Sequence, residues 1–134
     1  MPEWRHRAEE AGMAERVHFL GFRRDVPEIL PACDVLVSPT RYEPYGLGVH
    51  EALCCGVPAI VPRTAGVAER YPAELSALVL EDPNDAAELT GKLLHWLRER
   101  DACRGLVGRF GQALRDHSWD DMAREMVGLM ERKP

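Results

Sequence analysis

The sequence predicts an α/β fold built on a parallel sheet, and three observations carry that expectation. Short apolar, strand-like runs alternate with amphipathic helical stretches along the chain, the pattern of strand–helix–strand units. The run Val35-Leu36-Val37 is apolar on consecutive positions, as suits a strand buried on both faces. A glycine-bearing turn, Gly46-Leu47-Gly48, leads from the end of that strand towards a helix, which is where parallel sheets bind their ligands.

The elements follow in order. Residues 3–11 read as a helix with Trp4, Ala8 and Ala11 on one face and Gly12 as its stop. Val17-His18-Phe19-Leu20 reads as a first strand, closed by Gly21. Asp25-x-x-Glu28 has the spacing of a capping box and opens a short helix through Ile29 and Leu30. Val35–Val37 is the second strand, ended by Pro39. A loop from Thr40 to Gly46 precedes a helix over about Leu47–Cys55, which Gly56 and Pro58 terminate. Ala59–Val61 and Leu78–Leu80 read as the third and fourth strands.

Three helices then close the chain. Asp85-x-x-Glu88 caps one with Ala86, Leu89, Leu93 and Trp96 at helical spacing. Residues 100–115 form the next, with Leu106, Phe110 and Leu114. Ser118-x-x-Asp121 caps the last, which carries Met122, Met126 and Leu129. Trp96, Trp119 and the methionines lie on these periodic apolar faces and are expected in the core.

At 134 residues the chain is sized for one core. Its 46% hydrophobic and 29% charged residues are those of an ordinary globular domain. The formal charge of −5 argues against a nucleic-acid partner, which would require a basic patch or stripe. It does not exclude a small anionic ligand, because a helix N-terminus binds phosphate inside an acidic protein. No apolar run approaches the ~20 residues of a membrane span, and Met1-Pro2-Glu3-Trp4-Arg5-His6 lacks the apolar core of a signal peptide. A cytoplasmic location is therefore expected. Cys33, Cys54, Cys55 and Cys103 have no metal-site spacing, and no metal is expected. Cys54 and Cys55 read as reduced thiols buried on a helix.

The chemistry concentrates between Ser38 and Pro58. Gly46 and Gly48 let the backbone approach a ligand closely. The first N–H groups of the following helix have no internal partner and carry the positive end of its dipole, which suits phosphate. Glu43 precedes the glycines and Glu51 lies about one turn inside the helix. A carboxylate accepts paired hydrogen bonds from neighbouring hydroxyls, as on a ribose or a hexose. Two carboxylates flanking a phosphate-binding turn fit a nucleoside diphosphate sugar. In the alternative reading, Glu43 is an ordinary loop carboxylate and Glu51 a residue favoured by the helix dipole.

Glu43 and Glu51, with seven residues between them, with Tyr45-Gly46-Leu47 after the first and Ala52-Leu53 and Gly56-Val57-Pro58 after the second, resemble the donor signature of the retaining GT-B "group 1" glycosyltransferases. Val17–Gly21, Ala32-Cys33-Asp34-Val35 with Ser38-Pro39, Asp82-Pro83 and Ser118-Trp119 resemble further pieces of that family in the right order. The resemblance implies a three-layer α/β sandwich with a parallel, Rossmann-like sheet of four strands. That fold would be the second half of the GT-B C-terminal domain, partial over residues 1–134. Glu43, the catalytic-site residue, would hold donor-sugar hydroxyls, and Glu51 the ribose hydroxyls. Backbone at Tyr45, Gly46, Leu47 and Gly48 would lie beside sugar and diphosphate, and backbone near Phe22 and Arg23 would meet the base. The nucleotide sugar is a substrate, and no separate cofactor is implied. In such enzymes the leaving diphosphate assists the reaction on the same face of the sugar.

The family shows no functional histidine at the position of His50, which reads as packing or surface. Asp34 is expected to fix the start of its strand and to touch no substrate. The side chains of Arg23, Arg24 and Arg41 read equally well as solvated residues or as parts of the site. The family has Gly-Gly where this chain has Ala65-Gly66, and a glycine where it has Ser76-Ala77. The first strands of the domain, the basic pair that grips the diphosphate and the acceptor-binding domain are all absent, so the chain alone is expected to be inactive, with an acceptor domain supplied in cis or in trans. The absent strands are central ones. Val17–Leu20 is therefore expected to pair directly with Val35–Val37, or a second chain to fill the gap, with self-association through exposed apolar edges. Two other readings are a non-catalytic interaction or regulatory module on the same fold, and an epimerase or phosphorylase relative.

Overall fold

The computed structural model describes residues 2–132; Met1, Lys133 and Pro134 lie outside the described residues. In chain order the elements are α1 (Pro2–Glu10), α2 (Val26–Ile29), β1 (Leu36–Val37), α3 (Leu47–Cys54), β2 (Ala59–Pro62), β3 (Val79–Leu80), α4 (Ala86–Arg98), α5 (Arg100–Asp116) and α6 (Trp119–Glu131). Three short 3₁₀ turns lie among them, at Leu30–Ala32, Gly66–Arg70 and Ala73–Leu78. This is a Rossmann-like α/β arrangement of helices around a parallel sheet. No helix among the described residues is long and apolar enough to cross a membrane.

The sheet has three strands in the order β1-β2-β3, all parallel. Leu36 pairs with Ala59 and Val37 with Ile60, while Val61 pairs with Val79 and Pro62 with Leu80. The central strand is the most deeply buried: Ala59, Ile60 and Val61 are each 0% exposed. Its uninterrupted apolar run is what burial on both faces requires. Around it pack Val49 and Leu53 of α3, Leu80 of β3, Trp96 of α4, and Cys103, Val107 and Leu114 of α5. Tyr71, mostly buried, donates its hydroxyl to the carbonyl of Ala59 at 2.9 Å, and burial pushes its phenol pKa up.

Val17–Leu20 is not a strand. It makes no ladder bond; Val17 and Leu20 are exposed, and Phe19 is half-buried beneath the guanidinium of Arg5, 5.1 Å from its ring centre. The expected pairing with Val35–Val37 does not form, because the only ladder neighbour of β1 among the described residues is β2. The β-propensity of Val17-His18-Phe19-Leu20 reflects fit to a pleated, half-buried surface, and no such neighbour is offered here. Val17 N–H donates to the Met13 carbonyl at 3.0 Å, and Val17, His18 and Leu20 are exposed, so the burial on which the penalty for unpaired groups depends is largely missing.

Other local expectations divide. Gly12 and Gly56 end α1 and α3 with positive φ, as expected. Ser118 and Asp121 form a full capping box. Asp85 accepts from the N–H groups of Ala87 and Glu88, but Glu88 turns away to the N–H groups of Glu81 and Asp82. Asp25 caps nothing, because Arg23 takes its carboxylate and holds its pKa down. Trp96 is buried at 7%, as expected, but Trp119 is 83% exposed, and Met126 and Met130 are also exposed. No residue of α6 is buried. Helical periodicity locates an apolar face; it does not supply a neighbour to cover it. Cys55 is likewise exposed, sitting at the end of α3, whereas Cys54 is half-buried and Cys103 buried.

Candidate functional site

The site is assembled where β1 ends. Ser38 still donates to the carbonyl of Ile60 at 2.9 Å, and from Pro39 the chain leaves the sheet as the loop that reaches α3. Arg41, at the head of this loop, donates to Asn84 Oδ1 at 2.7 Å. Asn84 is anchored in turn on Asp82, whose pKa these bonds lower. The loop is thereby tied at one end to the segment that follows β3.

The centre of the loop is held by the main chain of Gly66 and Val67. Gly66 N–H points to the carbonyl of Glu43 at 3.4 Å, a long contact, and Val67 N–H donates to the carbonyl of Tyr45 at 2.7 Å. This close approach explains Gly66: a Cβ there would lie 2.3 Å from the Pro44 carbonyl oxygen and 3.2 Å from the Tyr45 Cα. Of the expected Gly-Gly pair, the second position is the one without room. Ala65, at the first, is accommodated in the core at 2% exposure. The other departure, Ser76-Ala77, falls within the 3₁₀ turn Ala73–Leu78.

Gly46 makes the turn itself. Its φ of 99° is left-handed, and a Cβ on it would sit 3.0 Å from Val67 Cγ1. No side chain caps α3, whose first internal bond runs from His50 N–H to the Gly46 carbonyl at 3.0 Å. The N–H groups of Leu47, Gly48 and Val49 precede that bond and are free of the helix ladder. Leu47 and Gly48 are exposed at the surface, while Val49 is buried. Glu43 is half-buried before the turn, and Glu51 is exposed after it. The sequence-predicted residues Glu43, Tyr45, Gly46, Leu47, Gly48 and Glu51 therefore lie on one loop-and-helix unit, with Glu43 before the turn and Glu51 after it.

Phe22 and Arg23 are not built into that unit. Phe22 is 89% exposed, and Arg23 is engaged with Asp25. Asp34 behaves as a structural residue: it pairs with Arg100 and Arg104, fixing the start of β1 to α5. A cavity of about 690 Å³ opens beside the turn, between Tyr45, Leu47 and His50 on one side and Arg70, Arg115 and Trp119 on the other. Neither Glu43 nor Glu51 lines it. Sequence reasoning noted Ala65-Gly66 only as a departure from the family pattern and missed both the support that Gly66 and Val67 give the loop and the bond between Tyr45 and His50. The first was findable, because Arg63–Gly66 leaves the carboxyl end of β2, where ligand sites gather. Among the described residues no cluster of three or more His, Cys, Asp or Glu is placed to hold a metal ion.

Fold and loop together define a Rossmann-like domain of the GT-B glycosyltransferase architecture. The chain belongs to the family described as glycosyl transferases group 1, whose sequence profile matches residues 1–99. It is 30% identical over 132 residues to a D-inositol 3-phosphate glycosyltransferase of Corynebacterium jeikeium, covering 95% of this chain and 30% of that protein. Over 131 residues it is 28% identical to a mannosylfructose-phosphate synthase of Agrobacterium fabrum, covering 95% of this chain and 28% of the relative. Among solved structures, a sucrose-phosphate synthase from Thermosynechococcus elongatus superposes with a TM-score of 0.80 at 25% identity, covering 98% of this chain and 33% of the other. The HepE protein of Anabaena, crystallised with UDP, superposes with a TM-score of 0.79 at 21% identity, covering 98% of this chain and 36% of its own length. The chain thus spans about a third or less of the relatives it matches.

Proposed function

We propose that this chain is the donor-binding part of a glycosyltransferase that moves a sugar from a nucleoside diphosphate sugar to an acceptor, with retention at the anomeric carbon. One observation carries the reading. The Gly46 turn presents uncapped helix N–H groups between Glu43 and Glu51, the order in which phosphates and two sets of sugar hydroxyls would be met. The diphosphate would lie against Leu47 and Gly48, the donor sugar against Glu43, and the ribose against Glu51. The backbone near Phe22 and Arg23 would take the base. Membership of a transferase family and the UDP bound to HepE support this over a non-catalytic module.

The protein's part in such a reaction is orientation and electrostatics. Fixed N–H dipoles stabilise the charge that gathers on the departing diphosphate, and the carboxylates hold the sugar rings in line. The leaving diphosphate itself would assist attack on the same face of the sugar. An acceptor-side domain, in cis or in trans, completes the site. Calorimetric titration with UDP-glucose and GDP-mannose tests the reading: saturable binding of one of them, competed by its nucleoside diphosphate, is expected. Absence of binding by both sugars and both diphosphates would sink it.

A further inference from the structure

Tyr45 and His50 stand on opposite sides of the Gly46 turn and are bonded to each other, with Tyr45 Oη 2.8 Å from His50 Nδ1. Both are half-buried, and their rings lie 5.7 Å apart between centroids. The main chain of Tyr45 is fixed separately, through its carbonyl, by Val67 N–H. Between these two anchors lies Gly46, with the backbone freedom of a glycine. The Tyr45–His50 bond closes a loop of links around that residue. On α3, His50 and Glu51 are successive residues, about 100° apart around the axis. His50 faces Tyr45 and the cavity, while Glu51 stays exposed.

We infer that His50 is a positioning residue for donor binding. By holding Tyr45 Oη it fixes the Gly46 turn, and so sets Glu43 and the open N–H groups of Leu47 and Gly48 in register with Glu51. The inference rests on the nucleotide-sugar reading. The bond forms whether neutral Nδ1 accepts from the phenol or a protonated imidazole donates to it. Substitution, not pH, is therefore the informative perturbation.

The experiment combines amide hydrogen exchange of the chain with titration by UDP, UDP-glucose, GDP and GDP-mannose. The variants are His50→Leu, Tyr45→Phe, their double, and His50→Asn, whose side-chain oxygen can replace Nδ1 as acceptor. In His50→Leu and Tyr45→Phe the amides of residues 50, 66 and 67, which donate to the carbonyls of Gly46, Glu43 and Tyr45, should exchange about threefold to tenfold faster, the range of one hydrogen bond. The preference for the nucleotide sugar over its bare diphosphate should fall by a similar factor. The double variant should be no worse than either single, and His50→Asn should restore both readouts. Unchanged exchange and affinity in both single variants overturns the role of His50 while leaving the donor reading intact; failure of His50→Asn to restore what His50→Leu loses also overturns it. A wild-type chain that binds none of the four probes overturns the donor reading and this role together.

Discussion

Gly66 faces the carbonyl oxygen of Pro44 so closely that a methyl group on it would stand 2.3 Å from that atom. Both partners are backbone, so neither can swing aside as a side chain would. Gly66→Ala should push the Glu43–Tyr45 segment away and cost about 1–3 kcal/mol. Thermal unfolding measures the cost, and nucleotide-sugar titration should show weakened binding in the protein that remains folded. A variant with wild-type melting and binding would mean the contact is not maintained in solution.

Glu51 and Glu43 should separate by ligand. If Glu51 holds ribose hydroxyls, Glu51→Ala weakens binding of the bare nucleoside diphosphate, by about 10- to 100-fold for bonds worth about 1.5–3 kcal/mol. Glu43→Ala should leave the bare diphosphate nearly unaffected and remove the preference for the nucleotide sugar. Equal losses on both ligands from both variants would contradict the assignment.

The start of α6 should be acid-sensitive. Ser118's side chain and backbone, and then Arg124, hold the Asp121 carboxyl down at about 2, below its ordinary 3.8. The carboxylate therefore supports the folded state fully above the ordinary value and loses that support as pH falls through about 2. Far-UV circular dichroism between pH 5 and pH 2 should show helix signal draining at the acid end. In Ser118→Ala the part of this transition due to the cap should be lost.

The 134-residue chain alone should transfer no sugar at a useful rate. On the proposed reading the acceptor is oriented by an acceptor-side domain, and orientation supplies a large part of the barrier reduction in bimolecular transfer. Release of nucleoside diphosphate can be followed with the chain by itself and with a separately supplied acceptor-side domain. Turnover near ~10 s⁻¹ by the monomeric chain would refute the expectation.

The parts legible in the sequence were those whose signal is local and self-sufficient. Ala59–Val61 is apolar at every position because it is buried on both faces, and the structure extends it only to Pro62. Ser118 and Asp121 satisfy each other within one turn, so spacing was enough. The Gly46 turn and its two glutamates were visible because turn and helix are contiguous. Features that depend on a distant neighbour were misread. Val17–Leu20 has strand composition and no strand beside it. Trp119 and Met126 lie on an apolar face that nothing among the described residues covers. Arg23 captured Asp25 before it could cap α2, a competition that spacing does not reveal. The turn at Gly66–Arg70 has no periodicity to betray it, although its first two residues hold the centre of the site.

The contacts that place Glu43 and Tyr45 run from the amides of Gly66 and Val67 to main-chain carbonyls. Such contacts are blind to side-chain identity. During divergence the loop's outward residues can be exchanged while its shape is inherited through two glycines, Gly46 and Gly66. On the proposed reading, selection would act on two sets of positions: Gly46 and Gly66, with the Tyr45–His50 pair, for the scaffold, and the glutamates and their exposed neighbours for the choice of ligand. On that reading a change of donor would need only a few letters between Arg41 and Glu51, with no redesign of the sheet beneath.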